Sequence, residues 1–535
     1  MHPELDMNLL RRQNLGDSLR RAAQAAPDKP AVIFYTVDGV SQTCSYAQLN
    51  TMVNAVANNL QRRGVKKGDR VAALSRNGIP FLALGYALHK IGAWLVPVNF
   101  MLQPHDVQHL IEFAEAKWFF VEDALLGNVD AVLGKLGCVE QFVQFGAAGT
   151  PPRAGWIAFD ALLDGPASEP EVCIEGEDVA SMFFTSGTES APKGVLSSHT
   201  NFHAAHLSWA FNYGLSQDDR FLLSIPLIHM AGYLFASFGL ANQVTLVMTQ
   251  TPQPVQMIDL IERHRVTATA LPPTLYVAML SCPNFRTRDL SSASKMLTWA
   301  STIPKAMVDG WKEVAPAMRF FSGQGSSEST AGPLTGGYVG SWAEMPNGDG
   351  RWVGRPMSFA ADVRLVDEDG KDVGIGESGE QIARGPIIMK GYYKNDEVNR
   401  RVFRDGWFHT GDILFRDAAG NYFFADRKKD MIKTGGENVY CQEVESVLGT
   451  HASVMQCAVF GLPDERWGEV VTAVVIARPG VTVAEAELIE FCRGRLPGFK
   501  APKRIHFRNS LPISAANKIL KRDLKAEYAD AAKGG

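Results

Sequence analysis

Short apolar runs alternate with longer helical patterns through most of the chain. KPAVIFY, a turn at Asp38-Gly39 and SQTCSY predict a hairpin. Apolar residues then recur at Leu49, Val53, Val56, Ala57 and Leu60. That spacing marks one face of a helix over Tyr46–Arg63, and Gly64 stops it. DRVAALS predicts a buried strand, FLALGYALHKIGA a helix ending near Gly92, and WLVPVN the next strand. The strand–helix–strand rhythm predicts α/β layers with largely parallel sheets.

The pattern changes after about Asn421. A polar, basic stretch, DRKKDMIKTGGEN, leads into a tract with its own apolar strands, SVMQCAVFGL and EVVTAVVIA, and a helix over Val483–Arg495. The expected fold is α/β: a large N-terminal multi-layer domain over residues 1–426 and a small mobile C-terminal α+β domain over 427–535, hinged near Lys429. The end, from Ala526 to Gly535, is expected to fray.

Charge and composition narrow the class. From Phe221 to Ile258 there is no Asp, Glu, Lys or Arg, but Pro226, His229, Asn242, Gln243, Pro252 and Pro254 interrupt the run. Buried strands and helices around a pocket are therefore expected, not a membrane span. A chain of 535 residues, 46% apolar, supports a large core and more than one domain. The net charge of −4 gives no basic surplus for nucleic acid. Seven scattered cysteines without a CxxC pair suit a reducing compartment, and the first residues lack the apolar run of a signal peptide. A soluble, cytoplasmic protein, monomeric or homodimeric, is the expectation.

The most informative segment is MFFTSGTESAPKGV. An apolar strand leads into Thr185, Ser186, Gly187 and Thr188, then Pro192-Lys193-Gly194. Small hydroxyl residues and glycines let a backbone approach an anion and offer it donors, and Lys193 adds positive charge. The spacing is not that of an ordinary P-loop, and the same composition also suits a surface turn. With this segment the sequence resembles the adenylate-forming superfamily of acyl-CoA synthetases, firefly-type luciferases and peptide-synthetase adenylation domains, whose phosphate loop reads TSGTTGxPKG. Glu189 and Ser190 depart from that pattern.

Further segments carry the resemblance from about Asn14 to Tyr528, in the family's order. SIPLIHMAG is similar to PLFHxxG, which implies that His229, Gly232 and Tyr233 line the acyl pocket. WASTIPKAM looks like SGAAP, which implies that Trp299, Ala300, Ser301 and Thr302 lie beside the adenine and acyl sites. FSGQGSSES resembles QGYGMTE. There Gln324 takes the place of the tyrosine that stacks on adenine, Gly325 follows it, Ser327 meets the α-phosphate and Glu328 binds Mg²⁺ together with Thr188. GWFHTGD ends in Asp412, implied to hold the ribose hydroxyls. DRKKDMIKTGGENV implies that Arg427 contacts the ribose, that Lys429 is the pivot, and that Gly435 and Gly436 flank the pantetheine arm of coenzyme A. Lys428 reads as a solvated linker charge. LPISAANKILKRDL resembles LPRTxxGKILRREL, so Lys518 matches the lysine that reaches in for adenylation; Asn517 replaces a glycine.

The resemblance implies an ATP- and Mg²⁺-dependent ligase that joins an apolar carboxylic acid to coenzyme A through an acyl-adenylate, with Lys518, Thr188 and Glu328 catalytic. MAGYLFASFGL and Trp299 suggest an apolar pocket for a medium- or long-chain fatty acid or an aryl or alicyclic acid. A carrier-protein phosphopantetheine as acceptor, and a catalytically silent nucleotide binder, are the alternative readings.

Overall fold

The computed structural model describes residues 3–146, 151–185, 192–299, 302–357, 359–428, 430–435, 437–464, 466–478, 480–512 and 519–533. The predicted hairpin forms from strands Pro30–Tyr35 and Ser41–Ser45, paired antiparallel, with Gly39 at φ +85° in the turn. The next helix, Tyr46–Arg62, begins at a capping box. Ser45 accepts from the Gln48 amide, and the Gln48 side chain accepts from the Ser45 amide. Helix Ile79–Ile91 ends where Gly92 adopts φ +72°, a left-handed conformation that an L side chain resists.

Two large sheets hold the N-terminal part. One has nine strands, and its parallel centre runs through Arg319–Gln324, Lys295–Thr298, Ala268–Ala270, Arg220–Leu223, Thr245–Thr249 and Pro30–Tyr35. The other has eight strands, parallel through Val179–Thr185, Trp94–Val98, Arg70–Leu74, Trp118–Glu122 and Gln141–Phe145. Helices Leu15–Ala25, Ile79–Ile91, His199–Asn212 and Met230–Ala241 share one apolar core with residues of both sheets. A helix covered on several sides needs no polar stripe. All of Ile79–Ile91 except Pro80 is buried, as is most of Met230–Ala241. The uncharged run from Phe221 to Ile258 is thus strand, helix, strand and the start of a further helix, its apolar residues divided between this core and a second cluster that includes Leu222, Val247, Met257 and Ile258. No helix among the described residues is long and apolar enough to cross a membrane.

An antiparallel five-stranded sheet follows, containing Asp362–Val366, Gly379–Arg384, Trp407–Arg416 and Tyr422–Arg427. The smaller C-terminal part has its own five-stranded sheet and its own apolar cluster. Its two long strands, Val454–Asp464 and Gly468–Ala477, pair antiparallel, and the predicted helix forms over Glu485–Arg493. One expectation is corrected here. The chain does not fray from Ala526, because a helix spans Lys521–Lys533. Leu524 is fully buried, and Tyr528 and Ala529 pack with Phe460 and Leu462 of the sheet. The Tyr528 ring also stacks on His506 at 4.4 Å between centroids.

The two parts touch directly. The buried Asp426 carboxylate, at the end of the large part, accepts the backbone N–H of Cys441, the first residue of helix Cys441–Gly449. Thr302 donates to the Gln442 side chain at 2.8 Å.

Candidate functional site

The segment read as a phosphate loop joins two antiparallel strands, Val179–Thr185 and Lys193–Ser198. Thr185 lies opposite Lys193 at the open end of this pair, so the connection carries a hydroxyl and an ammonium at its two feet. Ser186, Gly187 and Thr188 fall in the connection, outside the described residues, as do Ala300, Ser301, Lys429, Gly436 and Lys518.

A short strand, Gly391–Tyr392, pairs with Lys193–Ser198 on its other side and sets Tyr392 opposite Val195, two residues from Lys193. The Lys193 ammonium lies 5.4 Å from the centre of the Tyr392 ring, a cation–π distance. The Tyr392 hydroxyl donates to Glu328 Oε1 at 2.8 Å. Burial, with the Glu328 carboxylate beside it, pushes this phenol above its ordinary value, so it remains a proton donor to the carboxylate. Glu328 itself sits in a single helical turn, Ser327–Ser329, and its carbonyl accepts the Met389 amide at 2.8 Å. Tyr392 was not singled out from the sequence. The stretch MKGYYKN carries no charge pattern that separates a site tyrosine from a packed one.

A second group of contacts is formed by Gln324, Asp412 and Arg427. Gln324 ends strand Arg319–Gln324 and donates through Nε2 to Asp412 Oδ2 at 2.8 Å. Asp412 lies opposite Arg427 in the antiparallel sheet, and Arg427 Nε stands 3.0 Å from Asp412 Oδ1. The Asp412 carboxylate raises the Arg427 guanidinium above its ordinary value, with Glu328 contributing to the same field. Gln324 and Asp412 are buried, while the Arg427 side chain is 42% exposed. Gly325 has no room for a side chain, since a Cβ would overlap the Gly332 carbonyl. The structure therefore shows two sets of contacts, Lys193–Tyr392–Glu328 and Gln324–Asp412–Arg427, with Glu328 adding to the field at Arg427.

Other predicted residues make contacts of their own. His229 precedes helix Met230–Ala241 and accepts the Tyr233 amide through its carbonyl at 3.1 Å. Gly232, in the first turn, leaves space for the Pro226 carbonyl, which a Cβ would overlap. Tyr233 is wholly buried, and its hydroxyl meets His89 Nε2 at 2.8 Å within the core. Trp299 packs on Phe235 with centroids 6.2 Å apart. Gly435 adopts φ +59°, and its amide donates to the Trp467 carbonyl at 2.8 Å. Lys428 is half-exposed but not merely solvated, because its ammonium donates to Glu380 at 3.1 Å.

Comparison with known proteins agrees along the whole chain. Residues 19–393 match the family of AMP-binding enzymes, and residues 443–518 match the AMP-binding enzyme C-terminal domain. A feruloyl-CoA synthase from Amycolatopsis sp is 34% identical over 520 residues, covering 97% of this chain and 100% of that protein. The long-chain-fatty-acid–CoA ligase FadD13 of Mycobacterium tuberculosis is 32% identical, covering 96% and 99%. Among solved structures, the anthranilate CoA ligase AuaEII in complex with anthranoyl-AMP superposes with a TM-score of 0.88 at 26% identity, over 98% of this chain and 99% of that one. The chain belongs to the AMP-binding enzymes of the adenylate-forming superfamily, on their acid–CoA ligase branch.

Proposed function

We propose that this protein is an ATP- and Mg²⁺-dependent acyl-CoA synthetase acting on an apolar carboxylic acid, either a medium- or long-chain fatty acid or an aryl or alicyclic acid. The observation that carries the reading is the pairing of two contact groups, Lys193–Tyr392–Glu328 and Arg427–Asp412–Gln324, with Glu328 adding to the field at Arg427. It sets a cation beside a phosphate loop, a carboxylate suited to a metal, and a carboxylate suited to a diol.

Glu328 fits Mg²⁺. Tyr392 engages one of its oxygens and leaves the other open among the described residues. No group of three or more His, Cys, Asp or Glu among the described residues is placed to hold a metal ion. One carboxylate, completed by phosphate oxygens and water, is the donor set Mg²⁺ accepts. Bound there, the ion supplies positive charge to the triphosphate. Lys193 and the amides of the loop add to it, and Asp412 takes the ribose hydroxyls.

In the first step a carboxylate oxygen of the acid attacks the α-phosphorus of ATP. An acyl O–P bond forms, the P–O bond to pyrophosphate breaks, and acyl-adenylate and pyrophosphate result. The acid is already ionised at neutral pH, so the step needs positioning and charge neutralisation and no general base. Lys518 is the residue assigned to neutralise charge during this step. In the second step the sulfur of coenzyme A attacks the acyl carbonyl. A C–S bond forms, the bond to AMP breaks, and the thiol proton passes to solvent. The small domain, residues 427–535, turns about Lys429 between the two steps and carries Gly435 and Gly436 to the pantetheine arm.

The uncharged helix Met230–Ala241, with Trp299 packed on its Phe235, supports an apolar acid. The relatives' names, which span feruloyl and long-chain fatty substrates, support the breadth of that class. The test is AMP release from a panel running from acetate through octanoate and palmitate to benzoate, cinnamate and cyclohexanecarboxylate, with and without coenzyme A. Release that depends on coenzyme A, with octanoate or larger apolar acids favoured over acetate, is expected. AMP release indifferent to coenzyme A would contradict the proposed acceptor.

A further inference from the structure

The resemblance assigns the position of Gln324 to an aromatic ring that stacks on adenine. An amide has no such face, and the structure gives this one different partners. Gln324 is only 8% exposed and Asp412 only 3%. The Gln324 amide nitrogen donates to Asp412 Oδ2 at 2.8 Å, which fixes which end of the amide faces the carboxylate. Its oxygen, Oε1, is buried and has no hydrogen-bond partner among the described residues. Asp412 Oδ1 meets Arg427 Nε at 3.0 Å. Asp412 Oδ1, like Gln324 Oε1, is buried and accepts no hydrogen bond among the described residues, and Oδ2 keeps one acceptor site beside the Gln324 contact.

We infer that Gln324 is a ribose-reading residue: with Asp412 it forms a paired acceptor for the two adjacent hydroxyls of the nucleotide sugar. This rests on the nucleotide-binding reading above and extends it. The amide oxygen shares its carbon with the nitrogen bonded to Asp412, so an amide acceptor and a carboxylate acceptor stand side by side. Two hydroxyls on neighbouring ring carbons are a donor pair of matching span. A buried carbonyl without a partner is unfavourable, and a hydroxyl donor from the ligand relieves it. The amide also orients Asp412, because its N–H holds Oδ2 while the Arg427 guanidinium attracts the carboxylate from the Oδ1 side. A side chain that reads the sugar in place of the base makes a specific demand. Selectivity against deoxynucleotides depends on Gln324, and selectivity among purine bases does not.

The experiment is calorimetric binding to the full-length protein, which requires no knowledge of the acid. The probes are AMP, 2′-deoxy-AMP, 3′-deoxy-AMP and IMP. The proteins are wild type, Gln324→Leu, which keeps bulk without polarity, and Gln324→Glu, which places a like charge against Asp412. Wild type is expected to prefer AMP by about tenfold over the deoxy analogue that lacks the hydroxyl facing Gln324, the scale of a buried acceptor left without its donor. In Gln324→Leu that preference falls to within about twofold, while the AMP-to-IMP ratio stays within about twofold of wild type. Gln324→Glu is expected to weaken AMP by more than Gln324→Leu does. Ratios measured on one preparation do not depend on the fraction that is folded. Equal weakening of all four nucleotides in both variants would show a purely structural role and overturn the inference. Unchanged binding in both variants would overturn it as well. If wild type binds no adenine nucleotide, the nucleotide reading itself falls and takes this inference with it. That outcome is distinct from wild-type binding whose sugar selectivity ignores Gln324.

Discussion

Tyr392→Phe removes one atom from the site and leaves the ring in place. The hydroxyl lies 2.8 Å from Glu328 Oε1, and the ring packs with Val195, Met389 and Phe408 beneath the Lys193 ammonium. Phenylalanine keeps that packing and the cation–π contact, so the cost to folding stability should stay below about 1 kcal/mol. A hydrogen bond to a charged group is worth about 1.5–3 kcal/mol, equivalent to about 10- to 150-fold. Glu328 is only part-buried, so water can replace some of the loss, and about tenfold is the working figure. The loss should fall on the step that uses Glu328. Acid-dependent exchange of pyrophosphate into ATP, measured across a Mg²⁺ titration, should slow about tenfold and need more Mg²⁺ for half-maximal rate. The same substitution made on Glu328→Gln should cost much less, because the charge that Tyr392 holds is already gone; a coupling of about 1 kcal/mol is expected in that cycle. Wild-type exchange by Tyr392→Phe, or an equal loss in both backgrounds, would refute the assignment of Tyr392 as the residue that positions Glu328.

Three further outcomes follow from the packing. Burial holds the imidazoles of His89, His199 and His206 below their ordinary value, that of His199 at about 3. Below pH 6.5 the unfolded chain therefore takes up protons that the folded chain refuses. Stability is fully present above that pH and should fall by about 1 kcal/mol per histidine between pH 6.5 and 5.5, about 3 kcal/mol in all. Urea midpoints of the large domain that do not move over this range would contradict it. Lys521→Met strands the largely covered Glu445 carboxylate, its side chain 10% exposed, that the ammonium meets at 2.8 Å. It should destabilise the small domain by about 3 kcal/mol in chemical denaturation, and Lys521→Arg should recover much of that; equal midpoints for Met and Lys would refute the pairing. Gly232→Ala drives a Cβ into the Pro226 carbonyl at the start of helix Met230–Ala241. It should cost about 1–3 kcal/mol and raise the KM for the acid more than that for ATP, and an unchanged KM for the acid would argue against a pocket role for this turn.

Much of the architecture is legible because local signals and burial agree. The capping box at Ser45 and Gln48, the turn at Gly39 and the left-handed stop at Gly92 are local devices written in adjacent residues. The C-terminal helix escaped because its sequence, KRDLKAEYADAAK, is polar with few apolar anchors. Its Leu524 and Tyr528 reveal their role only once the sheet carrying Phe460 and Leu462 is in place. The site divides in the same way. Glu328, Asp412, Arg427 and Lys193 stand in motifs with recognisable order, and the structure joins Lys193 to Glu328 through Tyr392 and pairs Asp412 with Arg427. Tyr392 joins them only through strand pairing between Gly391–Tyr392 and Lys193–Ser198, a contact between residues far apart in the chain. Tyr233 shows the converse. It sits beside Gly232 in the chain, yet its position on the helix turns it toward His89 and the core. The partner of Gln324 was likewise invisible, since nothing in FSGQG announces a bond to Asp412 on another sheet.

The central claim is that an acyl-adenylate forms first and that coenzyme A then discharges it. A single-turnover experiment with a favoured apolar acid and labelled ATP tests this most directly. Without coenzyme A, the account predicts one equivalent of enzyme-bound acyl-adenylate, with pyrophosphate released. Adding coenzyme A should then convert that adenylate to acyl-CoA and AMP in equal amounts. Pyrophosphate release that begins only when coenzyme A is added, or a preformed adenylate that coenzyme A fails to discharge, would contradict it.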